Sequence, residues 1–385
     1  VADSGLRLTR LSLSQFRNYP VLTWRPAGRL VALYGANGSG KTNLLEAVSL
    51  LMPGRGLRGA RIADFARRGE AAPGTWAVAG RFATPSGEVD IGTGTPPGGP
   101  NDRRVFRLDG AAPRNAEMIA ARVSAVWLTP QMDRLFQEGA ASRRRFLDRL
   151  VYALEPAHAR EVAAHDSAMA QRNRLLAGGQ PDAAWLAALE DQMARHAVAA
   201  TAARANLVRR LNAALAEGAA APFPAARLLL ACPIAERLAA GPALAAEDWV
   251  RDRLAEQRAR DAAAGSAATG AHRADMGLAD AATGLAAAAA STGQQKALLI
   301  GVVLGHAALL AEARGFAPLL LLDEPTVHLD PERRAALFST LVRLPAQAFV
   351  TAADREPLLA LRPFAEGLRV ADGSLHSDPE FTSRG

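Results

Sequence analysis

Cysteine is nearly absent: Cys232 stands alone in 385 residues. A single cysteine excludes an intramolecular disulfide and a cysteine-based metal site, and it suits a reducing compartment. Beside Pro233, its small apolar side chain is expected in a core. Aromatic residues are also scarce, at 5% of a chain that is 49% hydrophobic. Much of the apolar content is alanine, which fits helices packed through small side chains and equally fits a GC-rich coding sequence. Long hydrophobic runs are missing as well; the alanines before Ser291 are too few and too weakly apolar to span a bilayer. Val1-Ala2-Asp3-Ser4-Gly5 shows no basic segment followed by an apolar one, so no signal peptide is expected. These absences predict a soluble, cytoplasmic protein with no membrane partner.

What is present is positive charge and length. A net charge of +7 and a pI near 10.5 point to a polyanionic partner or to an ordinary basic surface. The length allows one large domain or two medium ones.

Gly35-Ala36-Asn37-Gly38-Ser39-Gly40-Lys41-Thr42 has the form G-x-x-x-x-G-K-[ST]. The apolar run Leu30-Val31-Ala32-Leu33-Tyr34 precedes it, and the periodic segment from Asn43 to Val48 follows, giving the strand, loop and helix that phosphate binding needs. Gly35 and Gly40 let backbone N–H groups turn inward, and the helix beginning near Lys41 adds its positive dipole end. Lys41 is placed to reach the β and γ phosphates and the Thr42 hydroxyl to ligate Mg²⁺.

Residues 6–34 read as two strands around a polar turn, with Phe16-Arg17-Asn18-Tyr19 between them. The helix from Lys41 is expected to end at Pro53-Gly54, where a loop carries Arg55, Arg58 and Arg61 among glycines, either a solvated connection or a phosphate contact. Trp76 to Leu108 is strand-like, broken by an irregular tip at 92–100. Val123 to Leu128 is a further strand ending at Thr129-Pro130-Gln131. From Met132 to about Arg260 the pattern is long Ala/Arg/Leu helix, interrupted at Pro156, at 178–181 and at Pro222-Phe223-Pro224. Three regions follow: 1–131, a helical insertion over 132–264, and 265–385, where an α/β pattern returns. In Ser142-Arg143-Arg144-Arg145-Phe146-Leu147-Asp148, three adjacent arginines cannot share one helix face; some are expected to pair internally and others to face a partner such as DNA.

Leu319-Leu320-Leu321-Leu322-Asp323-Glu324 reads as a strand buried on both faces that delivers two carboxylates at its C-terminal end. Asp323 suits a metal carboxylate and Glu324 the general base for an attacking water. Helix capping is the alternative for these acids, but Asp330 is better placed for it. Ser291-Thr292-Gly293-Gln294-Gln295-Lys296 opens an apolar helix, and Ser291 suits either a cap or a phosphate contact.

Asp323-Glu324-Pro325-Thr326, then His328-Leu329-Asp330, with Ser291-Thr292-Gly293-Gln294-Gln295 upstream, resemble the Walker B, D-loop and signature motifs of ABC-type ATPases. With Phe16-Arg17-Asn18-Tyr19, the arginine segment after Trp127-Leu128-Thr129-Pro130, and Gly270-Ala271-His272-Arg273-Ala274-Asp275, the sequence resembles the RecF family from about Leu6 to Asp354. These are bacterial recombination-repair ATPases related to Rad50 and SMC heads. The resemblance implies an α/β ABC-type P-loop ATPase head with an inserted, mainly α-helical lobe. Two subunits would sandwich ATP and Mg²⁺. Gly35, Ala36, Asn37, Gly38, Ser39, Gly40, Lys41, Thr42 and Asn43, with Arg17 and Asn18, would bind nucleotide on one subunit; Ser291, Gly293 and Gln294 would approach from the other, and Asp330 would also belong to the nucleotide site. Gln131 would join Thr42 and Asp323 at the metal, and Lys41, Glu324 and Ser291 would be catalytic. Implied partners are double-stranded, single-stranded or gapped DNA, a second copy of the chain, RecO and RecR, and indirectly RecA, at the nucleoid. The alternative is the ATPase subunit of a membrane transporter. Against it, Ala352 in Phe349-Val350-Thr351-Ala352-Ala353-Asp354 stands where transporters carry a switch histidine. Gln131 replaces a glutamate common in the family, and Glu324 an aspartate.

Overall fold

In the computed structural model, which describes residues 5–68, 74–96, 98, 102–179 and 182–381, the alternating N-terminal segment forms β1 (Arg7–Phe16). Thr9 and Arg10 put two polar residues in succession; a β-bulge between Leu8 and Arg10 absorbs the extra one, so Leu8, Leu11 and Leu13 are all buried. The two strands expected over 6–34 are three. β1 turns at Arg17-Asn18 into β2 (Tyr19–Trp24), Pro26 and Gly28 end that strand, and β3 (Leu30–Tyr34) leads into the phosphate loop. Helix α1 (Lys41–Leu50) follows and stops short of Pro53. β4 (Ala77–Thr84), β5 (Gly87–Gly94) and β6 (Val105–Leu108) complete an antiparallel sheet of order β2-β1-β4-β5-β6. Residues 92–94, expected in an irregular tip, are the end of β5, while Pro97, Gly99 and Pro100 lie outside the described residues. Helix α2 (Ala116–Ala120) and strand β7 (Ala125–Leu128) come next.

The middle of the chain contains α3 (Ala140–Leu154), α4 (His158–Ala177), α5 (Ala183–Ala216), β8 (Ala226–Ala231), α6 (Pro233–Ala240), α7 (Ala243–Glu256), α8 (Arg258–Ala264) and β9 (Asp275–Asp280). The chain then returns through α9 (Thr292–Arg314), β10 (Leu319–Leu322), α10 (Pro331–Arg343), β11 (Ala348–Ala352), β12 (Ala365–Ala371) and β13 (Ser374–Ser377). Two compact units result: Val1–Asp133 with Ala219–Pro224 and Thr292–Gly385, and Arg134–Gly218 with Ala225–Ser291.

In the first unit the second sheet has the order β13-β12-β3-β11-β10-β7, and all its pairs are parallel except β12 with β13. Leu319 to Leu322 are buried on both faces, as an uninterrupted apolar run in a parallel strand requires. Gln347 ties the two sheets together: its side chain accepts from the Leu8 N–H at 2.7 Å and donates to the Gly28 carbonyl at 3.2 Å. One expectation is overturned by α9. It is 23 residues long, and an 18-residue window within it reaches a mean hydropathy of 1.6, long and apolar enough by composition to cross a bilayer. Because 78% of that stretch is buried inside the protein, its apolarity serves the core, as in a helix covered on all sides.

The second unit is not purely helical. Leu228, Leu229 and Leu230 look helical in composition, yet β8 pairs antiparallel with β9, so the unit runs on past residue 264 to Ser291. Ala168, Ala194, Ala197 and Ala200 pack with Met193, Val250 and the buried Cys232, small side chains that let α4, α5 and α7 approach closely. The arginine run is largely engaged inside this unit. Arg143 makes a bidentate bridge to Asp275 at 2.8 Å, and Arg144 donates to the Ala274 carbonyl at 3.0 Å. Arg145 is exposed. Asp148 receives Arg204, which also donates to the Ala271 carbonyl. The two segments 142–148 and 270–275 are thus one structural joint, and DNA contact by Arg143 or Arg144 is not what their geometry provides.

The fully buried Arg172 joins α4 to its neighbours through Glu190 at 2.9 Å, Asp261 at 2.8 Å and the Leu254 carbonyl at 2.7 Å. Glu190 keeps a second arginine, Arg258, but removing the Arg172 charge leaves the buried Asp261 without its ion-pair partner, so Arg172→Leu is expected to cost about 3–5 kcal/mol of stability. The exposed i,i+4 partner pair Arg195–Asp191 sets the control: Arg195→Ala should cost under about 1 kcal/mol. Urea denaturation of both variants checks this, and equal losses would contradict it.

Candidate nucleotide site

The loop between β3 and α1 takes positive φ at Gly35, Gly38 and Gly40, so its peptides can curl inward. Lys41 is 4% exposed and folds back, donating to the Gly35 carbonyl at 2.5 Å and to the Ala36 carbonyl at 3.0 Å. Burial pushes its ammonium below the ordinary lysine range, while Glu324, Asp323 and Asp354 pull it back up. Asn37, Gly38, Gly40, Lys41, Thr42 and Asn43 line an open pocket together with Arg58 and Glu324.

The turn Phe16-Arg17-Asn18-Tyr19 braces this loop from below. Asn18 donates to the Ser39 carbonyl at 3.0 Å and accepts from the Asn43 amide at 2.7 Å; the Tyr19 hydroxyl donates to the Gly40 carbonyl at 3.0 Å. A Cβ on Gly40 would collide with Asn18 and come 2.7 Å from the Tyr19 oxygen, so only glycine admits the brace. Arg17, expected at the nucleotide, instead holds the fully buried Glu46 of α1 through bonds of 2.8 and 3.1 Å. Arg58 donates to Asn43 at 2.9 Å and lies 3.5 Å from Glu46. All three arginines of the basic loop are exposed, but only Arg58 lines the pocket.

The other half arrives from β10. Thr42 donates its hydroxyl to Asp323 Oδ1 at 2.9 Å, across 281 residues of sequence. Thr351 on β11 donates to the same oxygen at 2.8 Å. Asp323 is 3% exposed, and burial pushes its carboxyl above the usual range against the hydroxyls of Thr351 and Thr42 and the charges of Arg58 and Lys41. Glu324 adopts φ 48 and faces the pocket.

Other expected residues lie elsewhere. Gln131, in a 3-10 turn after β7, is exposed and absent from the pocket lining. Ser291 and Gln294 are exposed, and Gly293 is half-buried in the first turn of α9, again outside the lining. A Cβ on Gly293 would sit 3.0 Å from the His328 carbonyl, so the signature and D-loop segments meet there. Asp330 caps α10 by accepting from the Arg333 N–H at 2.8 Å. Sequence reasoning did not single out Tyr19, Glu46 or Thr351. Tyr19 has a local signal, its place beside Asn18; the other two look like ordinary helix and strand residues.

The residues present fit a nucleotide with its divalent cation. The loop holds a buried Ser39 hydroxyl without a hydrogen-bond partner among the described residues and a lysine turned onto its own backbone. The Thr42 hydroxyl and Asp323 carboxylate are hard oxygen donors set side by side, the type Mg²⁺ prefers. A parallel sheet with a phosphate loop at one strand end and a paired Asp-Glu at another defines an ATPase head of the ABC and SMC type.

The RecF/RecN/SMC N terminal domain family matches residues 7–362. The chain is 46% identical over 369 residues to the DNA replication and repair protein RecF of Mesorhizobium japonicum, covering 96% of this chain and 97% of that protein. It is 45% identical over 370 residues to that of Allorhizobium ampelinum, covering 96% and 98%. Among solved structures it resembles the recombination mediator protein RecF-ATPrS in the RecFOR pathway, with a TM-score of 0.84, 20% identity and coverage of 97% and 98%. The Smc head domain of Pyrococcus furiosus is more distant, with a TM-score of 0.53, 16% identity and coverage of 97% and 96%. The chain belongs to the RecF family.

The raised pKa of Asp323 means that the folded protein holds this proton more tightly than the unfolded chain does. The associated stability is full below the ordinary carboxylate range and is lost as pH rises through the raised value. Asp323→Asn keeps an acceptor for both hydroxyls and removes the buried charge. It should raise the melting temperature of the nucleotide-free protein near neutral pH and flatten its pH dependence while abolishing metal-dependent nucleotide binding. Thermal melts from about pH 4 to about pH 8 check this; an unchanged or lower melting temperature at neutral pH would contradict it.

Proposed function

We propose that this chain is an ATP-dependent DNA-binding protein of recombinational repair that acts at single-strand gaps with RecO and RecR to promote RecA loading. The observation that carries the reading is the half-built site. Thr42, Asp323, Glu324 and the phosphate loop converge on one pocket, while Ser291, Gly293 and Gln294 lie outside its lining. In this reading a second copy supplies Ser291, Gly293 and Gln294, with Asp330 near the junction, so ATP closes a dimer. Mg²⁺, held by Thr42 and Asp323, would supply charge stabilisation to the leaving phosphates. Lys41 neutralises phosphate charge, and Glu324 orients and deprotonates the attacking water. Hydrolysis is slow and DNA-stimulated, and it times dimer dissociation on the nucleoid in the cytoplasm.

The net charge of +7 supports a polyanionic partner. The transporter alternative is disfavoured by near-full-length identity to RecF relatives and by Ala352, whose methyl cannot replace a switch imidazole.

DNA binding measured with ATP and without it, on duplex, single-stranded and gapped DNA, tests the reading. Binding to at least one form that strengthens with ATP is expected, and indifference to DNA in every state would overturn it. Glu324→Gln separates a hydrolytic timer from a passive ATP clamp: turnover is expected to fall at least about 100-fold while ATP-bound dimers persist. Unchanged turnover would remove Glu324 from the role of base.

A further inference from the structure

We propose that Thr351 is the positioning residue that sets both carboxylates of the site, fixing the metal carboxylate Asp323 and the peptide that aims Glu324. The inference rests on the roles given above to Asp323 and Glu324.

Sheet order puts β11 between β3, which launches the phosphate loop, and β10, which ends in the acids. The parallel registers pair Val350 with Leu322 and Thr351 with Leu33, so Thr351 stands one step beyond the last β10 pair, level with the acids. The remaining residues of β11, Ala348, Phe349, Val350 and Ala352, are apolar and buried, which leaves the Thr351 hydroxyl as the polar group this strand brings to the site.

That hydroxyl is fully buried and doubly used. It donates to Asp323 Oδ1 at 2.8 Å and accepts from the Glu324 N–H at 2.9 Å. A hydroxyl has one proton and two lone pairs, so both bonds coexist. With Thr42 donating to the same Asp323 oxygen, Thr42, Asp323, Thr351 and Glu324 form one hydrogen-bonded chain from the phosphate loop to the proposed base.

The second bond matters because Glu324 is strained. Its φ of 48 lies in the left-handed region, which a residue with a Cβ occupies only when its surroundings enforce it. Pinning the Glu324 N–H fixes this peptide and directs the side chain into the pocket that it lines. The first bond keeps a desolvated carboxylate oriented with its charge partly compensated. Without the hydroxyl, Asp323 keeps Thr42 alone, and a strained peptide loses its tether.

Thr351→Val removes the hydroxyl at similar shape, Thr351→Ser restores it with one methyl fewer, and Thr351→Ala is the fallback if the valine crowds the strand. Three readouts are taken on the full chain: amide hydrogen exchange at Glu324 without nucleotide, affinity for ATP with Mg²⁺ and with EDTA, and turnover. Wild type should show a protected Glu324 amide. Thr351→Val should lose that protection, lose about 10- to 100-fold in turnover and in the affinity gained from Mg²⁺, and keep its EDTA affinity within about threefold. Thr351→Ser should recover most of each loss.

An unprotected Glu324 amide in wild type would overturn the proposal, as would wild-type turnover and protection in Thr351→Val. If Thr351→Ser is as impaired as Thr351→Val, packing of the methyl explains the loss and the proposal fails. Failure of the underlying roles is separable: if Glu324→Gln turns over normally, Glu324 is not the base, while exchange at its amide still reports whether Thr351 holds it.

Discussion

The hydrogen bond from Thr42 to Asp323 is the constraint on which the rest of the structure depends. It joins groups 281 residues apart, and it exists because β3, β11 and β10 are neighbours in one parallel sheet. Closing so long a loop carries an entropic cost that the bond alone does not offset. The offset comes from strands buried on both faces and from a second closure beneath the site. There Lys296 on α9, fully buried, pairs with Asp133 at 2.9 Å and ties the two ends of the 134–291 excursion within the first unit. Lys41 and Lys296 are the only lysines in the sequence. One meets the phosphate loop and the other closes the chain that carries the acids.

The antiparallel sheet has a role that its distance in sequence from the acids conceals. Asn18 and Tyr19 hold the loop at the start of α1, and Arg17 neutralises Glu46 inside that helix. At the far end Arg104 donates to the carbonyls of Leu50 and Gly54, satisfying groups a helix C-terminus leaves open. Helix α1 is therefore gripped at both ends by one sheet and aimed by the other. A phosphate loop fixed in this way pays little ordering entropy when it binds its ligand.

Much of this site was legible in the sequence because phosphate and metal chemistry demand residues at short, fixed spacing. Gly35 to Thr42 and Leu319 to Glu324 each carry their own structural context. Other features depended on pairing at long range. Strand β8 reads as helix until β9, 44 or more residues further on, supplies its partner. Which arginines of the 143–145 run pair internally was open from the sequence, because Asp275, which holds Arg143, is 132 residues away. Thr351 is the sharpest case, since a threonine among apolar residues looks like any β-branched strand residue. Only the sheet order shows that its hydroxyl lies between the two acids. α9 was misjudged in the opposite direction, its apolarity reflecting a position inside the protein.

In the proposed function the pocket is one half of a composite site, and Ser291, Gly293 and Gln294 would serve a neighbouring copy. The most direct measurement is the solution mass of the 40.4 kDa chain by analytical ultracentrifugation, with Mg²⁺ and a slowly hydrolysed ATP analogue, and again with ADP. A mass twice that of the chain is expected with the analogue, and a monomer with ADP. A monomer under saturating analogue at every protein concentration would contradict it.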